Sequence, residues 1–273
     1  MNVLELFSGT GSVGKVCKEI GWNVISVDLE LEATHKIDIM NFDYKQYPQD
    51  YFSMIWASPP CMNYSICKNC WLGRPLKQLG GRIYTTEIRE ELRKESDKLV
   101  MKTLEIIEYF KPEIWFMENP DTSDLKNRDI MKGLPYYIVD YCMYSLWGYK
   151  KRTRIWTNSK DFKPKTCNGS CGNMIEVEGH NFHTLNCGKS SQNKLVHTHV
   201  VKKQHKSVLG NGYEIINGEK VLCNTKEKRD KLRKMKKNTG KHTIDIQSIG
   251  GGTDRLMRYR IPPDLIKDLI GAF

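Results

Sequence analysis

A thiol, a carboxyl group and two guanidinium groups stand where strand-like stretches begin or end. In "WASPPCMNYS" (Trp56 to Ser65), Cys61 follows Pro59-Pro60 after an apolar run. That thiol can serve packing, metal ligation or nucleophilic attack. The prolines and the polar residues behind them point away from a core, and a thiol with a reference pKa of about 8.5 is intrinsically a strong nucleophile. In "FMENP", Glu118 and Asn119 close another apolar run, and a carboxyl beside a thiol makes an acid–base pair. "GYKKRTRIW" sets Arg152 and Arg154 two apart, on one face if the chain is extended. A solvated basic turn is the competing reading of that pair.

These groups need a scaffold that brings strand ends together. "NVLEL" is strand-like and runs into "FSGTGSVG", where Gly9, Gly11 and Gly14 precede a helix reaching about Ile20. Glycines there let the backbone approach a nucleotide-like ligand near a helix N-terminus, and the spacing equally fits a dinucleotide fingerprint or a tight turn. "WNVISVD" is a second strand that ends on Asp28, placed to accept hydrogen bonds from ribose hydroxyls or simply to stand in a turn. "HKIDI", "YFSMIWA", "EIWFMEN", "YYIVDYCMYS" and "TRIWTN" read as further strands. Residues 86 to 110 carry apolar groups at helical spacing, and Pro112 stops them. Alternation of this kind predicts an α/β fold with a mostly parallel sheet covered on both faces. In such a sheet, ligands lie beyond the carboxyl ends of the strands, where Cys61 and Glu118 would stand.

The chain has 273 residues, 39% of them hydrophobic, enough for a sizeable core. Its net charge of +11 is concentrated in one place. Residues 160–242 hold 18 Lys/Arg and 7 Asp/Glu, a difference of +11, so the rest of the chain is balanced. All six tryptophans precede residue 160. These shifts divide the chain into residues 1–159, a basic irregular module over 160–245, and a segment 246–273. In the last, "YRIPPDLIKDLIGAF" suggests a helix packing back on the first part. A localised basic excess is the footprint of a polyanion-binding surface, or of a solvated lysine-rich appendage. No apolar run approaches the ~20 residues of a membrane span, and no signal peptide is visible, so an intracellular, monomeric protein is expected. Nine cysteines without a secretory signal fit thiols or metal ligation better than disulfides.

Taken in order, Phe7-x-Gly9-x-Gly11, Pro60-Cys61 with "NYS" behind it, Glu118-Asn119 and Arg152-x-Arg154 resemble the cytosine-C5 DNA methyltransferase family, in the abbreviated form of phage and large-virus members. The resemblance covers residues 1–158 and, more faintly, "RYRIPPDL". It implies a Rossmann-like, S-adenosylmethionine-dependent sheet with a small target-recognition module, acting on double-stranded DNA through residues 160–242. It further implies that Phe7, Gly9, Gly11 and Pro59 line the S-adenosylmethionine pocket, that Asp28 holds the ribose and that Asp38 faces the adenine. Cys61 would attack C6 of a flipped-out cytosine, Glu118 would hold its N3 edge, and Arg152 or Arg154 would steady the pyrimidine. Restriction-modification and an infected or bacterial cytoplasm go with that reading. The chain departs from the family pattern in having Glu-Asn-Pro instead of Glu-Asn-Val, and lysines 150 and 151 where a Gln is usual. The same chemistry on tRNA, a catalytically inactive nucleic-acid-binding relative and, further off, an amino-methyltransferase with an "SPP" motif remain alternatives.

A second constellation lies behind these motifs. Cys167, Cys171, His180, His183 and Cys187 fall within one short stretch, a soft ligand set that would suit structural zinc in a module short of aromatics. Unligated surface thiols and histidines are the other reading. Cys67 and Cys70 read as loop residues.

Overall fold

The computed structural model describes residues 1–177, 180–183, 213–216, 219–222 and 259–271. The chain forms two compact units: one of residues 1–146, 150–171 and 255–273, the other of 147–149 and 172–254. Residues 160–171, expected in the basic module, thus group with the first unit. They are tied to it locally: Asp140 N–H donates to the Lys165 carbonyl at 3.1 Å, and Cys167 N–H to the Asp140 carboxylate at 2.8 Å.

The first unit is built on seven strands: β1 (Asn2–Leu6), β2 (Asn23–Asp28), β3 (His35–Lys36), β4 (Met54–Ala57), β5 (Ile114–Pro120), β6 (Tyr136–Asp140) and β7 (Arg152–Thr157). Their spatial order is β3-β2-β1-β4-β5-β7-β6, and only β7 runs against its neighbours. This is the mostly parallel α/β sheet that the alternation of strands and helices predicts. β4 is buried at every residue and β1 at all but its first, so both faces of the sheet centre are covered. Leu4, Leu6, Ile55, Ala57 and Met117 from the sheet share one core with Val100, Ile106 and Phe110.

The helices are α1 (Ser12–Glu19), α2 (Thr86–Phe110) and α3 (Pro263–Gly271). α2 begins at Thr85, whose hydroxyl accepts the Ile88 N–H at 3.3 Å, and it ends at Lys111, which adopts a left-handed conformation just before Pro112. Its buried face is apolar toward the C-terminus, at Val100, Ile106, Ile107 and Phe110, but carries Arg93, Ser96 and Asp97 in its middle. α3 buries Leu265, Ile266 and Leu269 and packs on α1. The Ile261 N–H also donates to the Ser12 hydroxyl at 3.3 Å.

In the second unit, the described residues form two antiparallel hairpins, β8 (Met174–Val177) with β9 (His180–His183) and β10 (Tyr213–Ile216) with β11 (Glu219–Leu222). Most of the basic segment 160–242 lies outside the described residues. No helix among the described residues is long and apolar enough to cross a membrane.

Candidate active site

The parallel strands β1, β2, β4 and β5 deliver their carboxyl ends to one edge of the sheet. β7 runs the other way and so begins at that same edge. The register pairs Asn119 with Arg154 and Pro120 with Thr153, and on the far side of β7 pairs Asp140 with Arg152. Topology therefore gathers the Gly9 loop, Asp28, Cys61, Glu118, Arg152 and Arg154, which are scattered over 146 positions of sequence (9 to 154), at one rim.

The Cys61 loop is held at both ends. Ahead of it, the Ser58 N–H donates to the Leu6 carbonyl at 3.2 Å, and Asn119 Nδ2 donates to the Pro59 carbonyl at 2.9 Å. Asn119 is fully buried, so this bond fastens the β4 exit to the residue beside Glu118 inside the protein. Behind it, a single 3-10 turn (Met62–Tyr64) is anchored on the polar middle of α2. Asn63 donates to the Leu92 carbonyl and the Ser96 hydroxyl, and the buried Tyr64 hydroxyl donates to Asp97 at 2.9 Å. Asp97 in turn receives a two-pronged contact from Arg128, which also reaches Glu90 at 2.7 Å. Burial and the Asp97 carboxylate push the Tyr64 phenol well above its usual range, so it stays a donor. Pro59 is buried, Pro60 exposed and Cys61 half-buried.

Glu118 is 7% exposed. Its Oε1 accepts from the Tyr141 hydroxyl at 3.0 Å and lies 3.3 Å from the ammonium of Lys151, which also sits over the Tyr141 ring at 4.6 Å. The two arginines are engaged elsewhere. Arg152 makes a fork with Asp140, two contacts of 3.1 Å, and Arg154 pairs with Asp121 at 2.9 Å while stacking on Tyr136 at 3.8 Å. Asp140 is fully buried. Burial alone would raise its pKa, but the Arg152 hydrogen bond, the Cys167 amide and Lys150 outweigh it and hold the carboxyl below its usual value.

The glycine loop is bent sharply. Phe7, Gly9 and Gly11 all have positive φ, at 54°, 53° and 65°. A Cβ on Gly11 would meet nothing within 4 Å, so open space lies beside it. Asp28 accepts the N–H groups of Gly9, Glu30 and Leu31 at 2.8–2.9 Å and so shapes this loop from β2. Asp38 accepts the Met40 N–H at 2.9 Å and caps the turn that follows. S-adenosylmethionine fits these residues on chemical grounds. The buried Ser8 hydroxyl has no partner among the described residues, Asp28 keeps acceptor capacity beyond its three amides, and the space at Gly11 is open.

Two groups here carry no sequence signature. Glu5, in the middle of β1, is 3% exposed, and its two oxygens accept the first-turn amides of α1, Val13 at 3.2 Å and Gly14 at 3.0 Å. A Cβ on Gly14 would lie 2.6 Å from Glu5 Oε2, which explains the third glycine of the loop. Burial pushes the Glu5 carboxyl up to about 7, against the opposing pull of the two amides. Lys151 is the second. The sequence offered the arginines for this edge, but side chains alternate along a strand, and the cation on Glu118 is the residue before them.

Of the expected zinc ligands, Cys167 and Cys171 come together, joined by Cys142. His180 and His183 lie on β9, and Cys187 is outside the described residues.

No family model matches the chain. Over 178 residues, 64% of this chain and 79% of the relative, it is 40% identical to a protein of frog virus 3 (isolate Goorha) named "Probable DNA (cytosine-5)-methyltransferase". The chain belongs to the DNA (cytosine-5)-methyltransferase family. Three solved structures are similar at lower identity. Entamoeba histolytica methyltransferase EhMeth is 14% identical, with 100% of this chain and 97% of that one covered and a TM-score of 0.47. A triple mutant of Spodoptera frugiperda DNMT2 is 12% identical, with 99% and 98% covered and a TM-score of 0.48. A "putative DNA modification methyltransferase" of an Escherichia coli prophage is 14% identical, with a TM-score of 0.39; the match covers 62% of this chain and about half, 52%, of that one.

Proposed function

We propose that this protein methylates C5 of cytosine in DNA through a covalent adduct at Cys61. One contact supports the reading above all: Asn119, the neighbour of Glu118, holds the carbonyl of Pro59, two residues before Cys61. A nucleophile loop and an acid–base carboxyl fastened to each other by a buried hydrogen bond suit a reaction that needs both on one base.

S-adenosylmethionine supplies an electrophilic methyl group. The residues of this chain do the rest. The Cys61 thiolate adds to C6, forming an S–C6 bond and placing the electron pair on C5, N3 and O2 of the ring. Glu118 holds the N3 edge, and Lys151 puts a positive charge beside it, so the charge that builds during the addition is stabilised in a site shielded from water. After C5 has accepted the methyl group, a base removes the C5 proton, and the electron pair expels the thiolate from C6. Phe7, Gly9, Gly11 and Pro59 line the donor's pocket, Asp28 orients its ribose and Asp38 its adenine. Arg152 and Arg154, fixed by Asp140 and Asp121, steady the pyrimidine and its phosphates. The base must leave the helix stack, at a cost of a few kcal/mol. The +11 segment over residues 160–242 offsets this by gripping the backbone. A structural zinc ion on the Cys167–Cys171 stretch belongs to the same reading.

The test is methyl transfer from labelled S-adenosylmethionine to duplex DNA, with 5-fluorocytosine in the target to block loss of the C5 substituent. Wild-type protein should form an adduct that survives denaturation, and Cys61→Ser should form none. Full activity in Cys61→Ser would overturn the mechanism, and transfer to tRNA alone would overturn the substrate.

A further inference from the structure

Cys142 is 25 residues away from Cys167 in sequence and belongs to no metal-ligand spacing. It opens no helix of length and follows β6 directly, in a 3-10 turn (Tyr141–Met143). Yet the thiol sulfurs of Cys142, Cys167 and Cys171 lie within 4.8 Å of one another, all in the first unit. Cys142 is 1% and Cys167 9% exposed. A packing role accounts poorly for the third thiol, Cys171, which stays half-buried at the end of a glycine-punctuated turn.

The backbone around the cluster is arranged for sulfur. Gly169, at φ 106°, aims its N–H at the Cys167 sulfur at 3.4 Å. Amide donors of this kind stabilise a ligating thiolate and fix its orientation. Lys150 binds the Cys167 carbonyl at 3.1 Å and adds positive charge beside the group.

We infer that Cys142, Cys167 and Cys171 are three thiolate ligands of a structural zinc ion. This deepens the zinc part of the proposed function by supplying the ligand that sequence spacing missed, and it does not depend on the methyl-transfer chemistry. Three sulfurs at about 2.3 Å from zinc stand about 3.8 Å apart in a tetrahedron, so the cluster needs only a modest contraction. Zinc binding takes the three thiol protons into solution, and the resulting thiolates are soft donors that reject magnesium and calcium. The three thiolates leave the fourth position of the tetrahedron to a further donor.

The ion would also position a residue of the reaction. Tyr141, next to Cys142, donates to Glu118 Oε1 at 3.0 Å and is fully buried. Its backbone N–H donates to the Lys151 carbonyl at 3.1 Å. Zinc would staple this turn to residues 167–171 and so hold both Tyr141 and Lys151 against Glu118.

The experiment is metal analysis of the purified full-length chain, followed by exchange with cobalt(II) as a spectroscopic probe. Wild type should carry one equivalent of zinc and, with cobalt, show the charge-transfer absorption of three thiolates. Cys142→Ser should lose both in parallel with Cys167→Ser, while Cys67→Ser and Cys70→Ser keep them. Zinc retained in full by Cys142→Ser, or iron or copper in place of zinc in wild type, overturns the assignment. If Cys142→Ser fails to fold, the wild-type cobalt spectrum decides: an intensity per cobalt equal to that of Cys171→Ser excludes a third thiolate. Metal content is read without turnover, so an inactive chain with zinc, or an active one without it, separates this inference from the catalytic reading.

Discussion

Lys151 Nζ lies 3.3 Å from Glu118 Oε1, and neither side chain is more than 13% exposed. A pair this well buried is costly to break, because the surviving charge is left in a poorly solvated place. Lys151→Met should lower kcat/KM by about a hundredfold, within the range of a positioned acid–base group. Lys151→Arg should recover much of that loss, and adduct formation at Cys61 should track the same order. Equal losses in the Met and Arg variants would mean that the position is merely structural.

Asn119 makes a narrower prediction. It donates one buried hydrogen bond, to the Pro59 carbonyl, while its own Oδ1 has no partner among the described residues. Asn119→Asp keeps the shape and removes the donor, leaving two acceptors facing each other. It should destabilise the protein by about 1–3 kcal/mol in urea unfolding and lower adduct formation as well. Unchanged stability with unchanged adduct formation would remove the bond from the account of how Cys61 is held.

Much of this site was legible because its residues terminate strands, and strand ends are visible in sequence. The limits of α2, the helix at residues 263–271 and the approximate strand positions followed from periodicity and from Pro and Gly. What was hidden depends on register and on long-range burial. Whether Lys151 or Arg152 faces Glu118 turns on a shift of one residue in β7, which no spacing encodes. Cys142 joins Cys167 only because β6 lies at the sheet edge beside the 165–167 segment. Arg93, Ser96 and Asp97 interrupt the buried apolar face of α2, and no spacing shows what they meet. They anchor the Cys61 loop, through Asn63 on Ser96 and Tyr64 on Asp97.

Glu5 gives the protein a pH dependence of a particular sign. Its carboxyl is raised from 4.5 to about 7, chiefly by burial. Between those values the folded protein holds a proton that the unfolded chain has released, so this group makes stability fall as pH rises from about 4.5 to 7 and then level off. The contribution is on the order of 3 kcal/mol. Glu5→Gln should abolish that part of the slope in urea unfolding measured across the window. A slope unchanged in the variant would assign it to other groups. Gly14→Ala should also destabilise, since its methyl would lie against the Glu5 oxygen.

The Asp97–Arg128 pair separates the stability of the Cys61 loop from its chemistry. Asp97 receives Tyr64 and both Nε and Nη2 of Arg128, and the two charged side chains are only 11% and 18% exposed. Tyr64→Phe removes one donor and leaves the ion pair intact, so it should cost about 1 kcal/mol. Arg128→Met leaves a nearly buried carboxylate facing an apolar chain and should cost about 3–5 kcal/mol. Neither residue is assigned a contact with the base. In the folded fraction, both variants should therefore keep S-adenosylmethionine binding while Cys61 reacts faster with a thiol reagent, because its loop has lost a tether to α2. Thiol reactivity equal to wild type in both variants would show that the Asp97–Arg128 pair serves stability only, and that the Pro59–Asn119 and Asn63–Ser96 bonds hold the Cys61 loop.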